Sequence, residues 1–392
     1  MAGYSLSLFF ERNEFLEPTL TVLQRIVVSV INDLVTDQRV HKICTALFDM
    51  GFEVVLIGRK LPHSKPIDRN YKTIRMRLLF RKKFLFYVEY HFRLFIKLFF
   101  IRKDILLAND LDTLLPNFLI SKLFGKKLVY DSHELFTEIA ELNNRPTIRK
   151  VWLTVEESIF PTLKNVYTVN DSIAVFYQKK YAVAVSVIKN IAPVLTNKTI
   201  DVALAKKIKG NQKMLILQGS GINMERGAEE AIQMMLYLED TILYIIGGGD
   251  IFENLKELAN TLNLHGKVYI KDKMPYEELM EYTKIADLGL SLDKGTNLNY
   301  EYSLPNKIFD YIQAQIPVLA SNRKEVAKLV NSENIGLVID SHKPKALADA
   351  VKRIFADTAQ YATWKKNLQN AANRYHWEKE REKLNVIYQN LS

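Results

Sequence analysis

"KMLILQGSGINMERGAEEAIQMMLYLEDTILYIIGGG", residues 213–249, holds two apolar runs that each end in glycine, separated by a stretch with helical spacing. "KMLILQG" and "TILYIIGGG" have strand length and almost no alternation, as expected of strands buried on both faces of a parallel sheet. "ERGAEEAIQMMLYL" between them reads as the crossover helix of a βαβ unit. Downstream the alternation continues through "FENLKELANTLNLHG", "KVYIKD", "PYEELMEYTKIA", "DLGLSLD" and, after one more helix, "PVLAS". Upstream a separate series runs from "RIVVSVIND" (25–33) through "EVVLIG", "DILLAND" and "KLVYDSHE" to "NVYTVND", with helical stretches between. The two series are interrupted at residues 188–212. This pattern predicts an α/β protein with two Rossmann-like, doubly wound parallel-sheet domains facing across a cleft. The first domain is expected over 25–195 and the second over 196–370. A terminal helix over 371–392 is expected to cross back to the first domain, and residues 1–24 form an extension of unassigned role.

The chain of 392 residues is long enough for two cores, and 48% hydrophobic with 25% charged residues is ordinary for a soluble globular protein. One cysteine, Cys44, rules out an internal disulfide and a multi-cysteine metal site. The first residues lack the basic leader of a signal peptide. A cytoplasmic location follows as an expectation.

The net charge of +10 is concentrated in one segment. Between Arg59 and Lys103, fourteen Lys and Arg face only Asp68 and Glu89, so this segment carries +12 and the rest of the chain −2. A local anionic partner is implied. Within 72–103, helical spacing puts Phe84, Val88, Phe95 and Phe99 on one stripe, with Lys82, Glu89, Arg93 and Lys97 opposite. Charges interrupt the segment too often for it to span a bilayer. An aromatic face beside a basic one suits a helix lying on an anionic membrane surface, with residues 75–103 as the contact. The alternative is a helix packed on its own domain with a solvated basic face. Nucleic acid is a poor fit, because the cations alternate with a continuous apolar face.

Chemistry concentrates in a few motifs. In "SLPNKIFDYIQAQIPVLAS" (303–321), Ser303 can cap a helix that Pro305 opens. Lys307 then stands in the first turn and Asp310 three residues on, on the same face. The N–H groups and positive dipole end of such a helix suit a phosphate, and Asp310 can accept hydrogen bonds from ribose hydroxyls. A local Lys307–Asp310 pair is the bland alternative. In "GSGINMERG", Gly219 and Gly221 permit close backbone approach to an anion. Gly247, Gly248 and Gly249 end the next strand in the same way.

These motifs, with "YDSHE" (130–134), resemble the retaining glycosyltransferases of family 4, of GT-B architecture, from about residue 25 to the end. The resemblance implies a nucleotide-sugar diphosphate at the helix that carries Lys307. Asp310 takes the second acidic position of the family motif. Tyr302 stands at the first, with Glu301 beside it. Arg226 aligns with the family's diphosphate-binding Lys before Gly, and Ser220 replaces an Arg common after the first glycine. Lys273, in "KDKMP", falls where the family's backbone meets the base. His133 is placed near the transferred sugar, where an imidazole can hydrogen-bond a hydroxyl or stabilise developing charge. Asp33, Asp37 and Arg39, in the loop after the first strand, meet acceptor or diphosphate, or serve as turn and cap residues. Asp110-Leu111-Asp112 looks like a metal-binding acidic triplet but reads better as a helix cap.

The expectation is a hexosyltransferase that needs no metal and no cofactor, since a UDP- or GDP-linked sugar is its substrate. A lipid-linked or polysaccharide acceptor is expected at a membrane surface. Two rivals share the architecture: a nucleotide-sugar epimerase and a catalytically silent membrane scaffold.

Overall fold

The computed structural model describes residues 23–391 apart from 36, 82 and 144. Nearly all of the 1–24 extension, and Lys82 of the expected basic face, lie outside the described residues. The first sheet contains β1 (Arg25–Asp33), β2 (Glu53–Arg59), β3 (Lys72–Met76), β4 (Ile105–Asn109), β5 (Lys127–Ser132), β6 (Asn165–Thr168) and β7 (Val185–Val187). Its order is β3-β2-β1-β4-β5-β6-β7, all parallel. The second sheet contains β8 (Lys213–Gly219), β9 (Thr241–Gly247), β10 (Val268–Asp272), β11 (Leu288–Ser291), β12 (Val318–Ser321) and β13 (Gly336–Ile339). It repeats the order as β10-β9-β8-β11-β12-β13, again parallel. Both sheets therefore change winding direction once, between β1 and β4 and between β8 and β11. Ligands of open parallel sheets bind at such points, outside the carboxyl ends of the strands.

The apolar runs behave as their composition demands. All five residues of β4 and all seven of β9 are buried. β3 is legible only in retrospect. "KTIRM" lies inside the basic segment and is half-exposed at the sheet edge, so it lacks the apolar run that marks the central strands. The helix expected over 225–238 is shorter. It spans Ala228–Met234, because Gly227 sits at φ +75° before it and a 3-10 turn follows at Met235–Tyr237. The interruption at 188–212 contains a short helix, Val202–Ile208, capped by the Asp201 carboxylate.

The chain passes from one core to the other within a few residues. Ile188 packs with the first sheet and Ile191 with the second. It returns near Trp377. The helix Trp377–Gln389 lies on the first domain, where Trp377, Leu384 and Tyr388 pack with Ile26, Val28 and Leu107. Burying each such side chain contributes roughly 2–3 kcal/mol. Glu380 anchors the same helix by accepting the Lys189 N–H at 2.8 Å.

The basic segment forms the helix Lys83–Phe100. Phe86, Tyr90, Leu94 and Leu98 face the core. Of the stripe expected to be apolar and continuous, Phe95 packs partly against that core, while Phe84, Val88 and Phe99 face solvent. They are joined on the outside by Phe92 and Phe100, 66% and 78% exposed, and by Leu119 and Leu123 of the neighbouring helix Leu111–Phe124. Glu89 is not a solvated face residue. Its carboxylate accepts the N–H groups of Leu79 and Phe80 and the Nε of Arg93. Among the described residues, no helix is long and apolar enough to cross a membrane.

Candidate functional site

In the second domain the loops after β8 and β9 interlock. Ile222 N–H donates to Gly248 O at 2.7 Å, and Gly248 N–H to Gly219 O at 3.3 Å. A Cβ on Gly247, whose φ is +151°, would lie 1.8 Å from Gly219 O, and one on Gly249 would lie 2.1 Å from Ile222 O. Those two glycines are demanded by the protein's own packing. Gly219 and Gly221 are not: a Cβ there would meet nothing closer than 3.6 Å and 3.9 Å. The Lys273 side chain lies over Gly248 and brings a cation to this loop. Ser220 is exposed beside it.

The helix Asn306–Gln313 opens with Pro305 at its cap. Ser303 does not cap it. Ser303 instead closes the preceding short helix, Leu298–Tyr302, by donating its N–H to Tyr300 O. Lys307 and Asp310 share a face by spacing but do not pair. Lys307 Nζ turns to Asp293 Oδ2 at 3.4 Å, and Arg226 reaches Asp293 Oδ1 at 3.0 Å. Burial opposes the charge on Asp293, but Lys307 and Arg226 outweigh it and hold the carboxyl below its usual range. Burial lowers Lys307, with Asp293 opposing it and Arg226 adding to it. The Arg226 guanidinium also lies 4.3 Å from the centre of the Tyr300 ring. Asp293 thus orients two cations beside the helix N-terminus. The sequence reading missed it, although "DLGLSLD" ends a strand on this acid at the switch point of the second sheet.

Asp310 accepts Tyr276 OH on Oδ1 and Gln218 Nε2 on Oδ2, each at 2.9 Å. Burial raises its pKa to about 6 against the pull of those two donors. Glu301 pairs with Arg323 at 2.5 Å. Tyr302 serves the domain interface: its ring packs on the first domain's core, and its carbonyl accepts Asn170 Nδ2 at 2.8 Å. That packing gives a tyrosine a physical reason to stand where the family motif has an acid.

In the first domain, His133 lies just past β5, between two carboxylates. Nδ1 is 3.0 Å from Asp110 Oδ2 and Nε2 is 3.1 Å from Asp131 Oδ2. Burial disfavours its charge, but Asp110 and Asp131 outweigh it and push the pKa well above the ordinary value. The ring is an imidazolium with both nitrogens committed. A hydrogen bond from it to a sugar hydroxyl requires breaking one of these contacts. Asp110 is the second residue missed. It follows β4 at the switch point of the first sheet and adopts φ 59°, ψ 168°, a region that costs a non-glycine residue on the order of 1–3 kcal/mol. It makes no cap bond; its carboxylate instead accepts the His133 N–H at 2.7 Å. Asp112, the other acid of that triplet, is buried, and burial holds its carboxyl well above the usual range.

The loop after β1 is structural in large part. Arg39 is buried and grips Asp131 through Nε and NH2 at 3.0 Å and 2.7 Å. Asp37 caps the helix Gln38–Asp49. Asp33 pairs with Arg75 at 3.2 Å and accepts Ser64 Oγ. The halves of the site touch at Glu134, which accepts Asn299 Nδ2 at 2.9 Å, while Asn299 Oδ1 accepts the Leu135 N–H at 3.0 Å. Burial and then Asp110 raise Glu134 to about 7, and its charge is close enough to act on Arg226.

Residues 202–371 match the sequence profile of the family described as glycosyl transferases group 1. A chitobiosyldiphosphodolichol beta-mannosyltransferase of Candida albicans is 26% identical over 156 residues, covering 38% of this chain and 33% of that protein. A GDP-mannose-dependent alpha-(1-6)-phosphatidylinositol monomannoside mannosyltransferase of Mycobacterium tuberculosis is 26% identical over 122 residues, 31% of each chain. The chain thus matches about a third of the length of these curated relatives. Sucrose-phosphate synthase of Thermosynechococcus elongatus superposes with a TM-score of 0.77 at 18% identity, covering 94% of this chain and 99% of that one. HepE of Anabaena, solved with UDP-glucose, gives 0.70 at 13% identity, covering 94% and 99%. The fold is that of the GT-B glycosyltransferases: two Rossmann-like parallel-sheet domains, each with one winding reversal.

Proposed function

We propose that this protein is a glycosyltransferase that moves a sugar from a nucleoside diphosphate to an acceptor with the anomeric configuration retained. One observation carries the reading: Arg226 and Lys307 are held by Asp293 at the N-terminus of the helix Asn306–Gln313, beside two glycines that packing does not require. A pyrophosphate leaving group needs this arrangement. Charge that develops on it as the glycosidic bond breaks meets two oriented cations and the free N–H groups of a helix end. These fixed cations supply the charge that a divalent ion would otherwise supply. Asp310 receives the ribose. His133 contributes a fixed positive charge held by Asp110 and Asp131, and transfers no proton in the step. The acceptor hydroxyl attacks from the face that the diphosphate leaves, and the leaving phosphate takes its proton.

The exposed aromatic face of Lys83–Phe100, flanked by Lys97 and Lys122, supports docking on an anionic membrane surface and an acceptor carried by a lipid. The names of the two curated relatives, a dolichol-diphosphate and a phosphatidylinositol mannosyltransferase, point the same way, as does the free, buried Cys44 to a reducing compartment. The donor is a UDP- or GDP-linked sugar.

A screen of UDP- and GDP-sugars for slow donor hydrolysis tests the reading. One donor should be cleaved, and Lys307→Ala should abolish that cleavage. Conversion of a donor to its epimer with no acceptor present, or no binding of any nucleotide, overturns it.

A further inference from the structure

The strongest unassigned feature lies outside the cleft centre, at the carboxyl ends of β2 and β3. A cavity of about 350 Å³ opens there, lined by Arg59, Lys60, Arg77 and Arg81 together with the apolar walls Leu78 and Phe80. No carboxylate lines it. Among the described residues, none of its four cations forms an ion pair, whereas the neighbouring Arg75 and Arg93 are matched with Asp33 and Glu89. The Arg59 guanidinium rests on the Phe86 ring at 5.0 Å, and its buried Nε has no hydrogen-bond partner. The turn that supplies Phe80 is braced from below by Glu89, which accepts the N–H groups of Leu79 and Phe80. Four like charges around one hollow repel each other, and an anion bound between them relieves that repulsion. Guanidinium forks match the oxygens of phosphate in pairs.

Two further features define what the anion is attached to. The rim is apolar and exposed: Leu79 is 78% and Phe84 72% accessible, and both continue into the aromatic face of the helix Lys83–Phe100. The other side leads to the sugar-transfer site. β2 and β3 are the second and third strands from β4, so at about 4.8 Å per strand the cavity lies roughly 10–14 Å along the sheet edge from Asp110. A sugar and its phosphate linkage can bridge that gap.

We propose that this cavity binds the phosphate or diphosphate group of the acceptor, and that the acceptor is a sugar joined through that group to a lipid whose chain leaves over Leu79 and Phe84. The proposal rests on the glycosyltransferase reading above and names the acceptor class. The cations fix the acceptor at its phosphate, the lipid stays at the apolar rim, and the sugar extends along the sheet edge towards Asp110 and the donor.

The test uses the full chain and farnesyl diphosphate, a short prenyl diphosphate, in calorimetry beside inorganic pyrophosphate and phosphatidylglycerol vesicles. Arg77→Ala with Arg81→Ala, both exposed positions, should weaken farnesyl diphosphate binding about tenfold or more while donor hydrolysis stays at the wild-type rate. Lys307→Ala, which disables the donor half, should leave farnesyl diphosphate binding intact. Lys97→Ala with Lys122→Ala should lower vesicle binding only. Binding that survives the loss of Arg77 and Arg81, or that disappears with Lys307, overturns the proposal. Pyrophosphate binding as tightly as the prenyl compound overturns its lipid part. Donor hydrolysis by the wild type is read separately: its absence counts against the sugar-transfer reading and leaves the phosphate-site result standing.

Discussion

The two domains repeat one strand order and place their candidate site residues at the same winding reversal, yet they build that edge from different materials. The second domain uses missing side chains and a helix end: Gly219, Gly221 and the N-terminus before Lys307, with Asp293 orienting two cations. The first uses a line of alternating charge, Arg39–Asp131–His133–Asp110, buried at its Arg39–Asp131 end and half-buried at the other, closed by a backbone strained at Asp110. Backbone donors and fixed cations suit a diphosphate, which is much the same in every nucleotide sugar. A rigid charged wall suits a part of the site that must be shaped for one ligand.

The largest expected effect separates the halves by chemistry. Arg226→Ala or Lys307→Ala should lower donor turnover about 10²–10³-fold, as loss of one preorganised electrostatic contact does. Asp293→Ala should instead cost stability, about 1–3 kcal/mol in a denaturant titration, because it leaves two half-buried cations without their shared partner. Next comes the contrast between glycines of one loop pair. Gly247→Ala should destabilise by about 2–4 kcal/mol, since the new Cβ would enter Gly219 O. Gly221→Ala should leave the melting temperature alone and weaken donor binding. Equal behaviour of the two would break the division into packing glycines and ligand glycines.

The charged line of the first domain should show itself in pH. His133 has a folded pKa above its unfolded value, so its stabilisation is complete below about 6.5 and fades as pH rises through the folded value. Asp131, lowered once Arg39 and His133 outweigh burial, stabilises above about 3.8 and loses that contribution as pH falls through its folded value. Thermal melts of wild type and His133→Gln should therefore differ most in mild acid and converge on the alkaline side. In the second domain, Asp310 titrates at about 6. Donor affinity should fall several-fold as pH drops through that value, and Asp310→Asn should flatten the profile. The smallest effect is at the surface. Phe92→Ser with Phe100→Ser should reduce retention on anionic vesicles a few-fold and leave hydrolysis of soluble donor unchanged.

The same contrast governs what the sequence disclosed. Central strands such as "RIVVSVIND" and "TILYIIGGG" are apolar throughout because both faces are covered, and a run of that kind is readable from composition alone. β3 is not, because an edge strand tolerates Lys72 and Arg75. The elements of the second domain's candidate site were legible because glycine, proline and a lysine in a first turn are local signals. The roles of Asp110 and Asp293 depend on which side chains the fold brings to them from more than a dozen residues away, and no spacing along the chain announces that. The helix Lys83–Phe100 shows a related limit: it is apolar on both sides, so periodicity could not say which side the core takes, and Phe86, Tyr90, Leu94 and Leu98 turn inward while Phe84, Val88 and Phe99 stay exposed.

The return of Trp377–Gln389 to the first domain has a consequence for biogenesis. As the chain emerges during synthesis, the second sheet has all its strands once residue 339 is out, while the first still shows water the surface that Leu384 and Tyr388 will cover. The domain made first is thus completed last, and it must be shielded from aggregation while the later one forms.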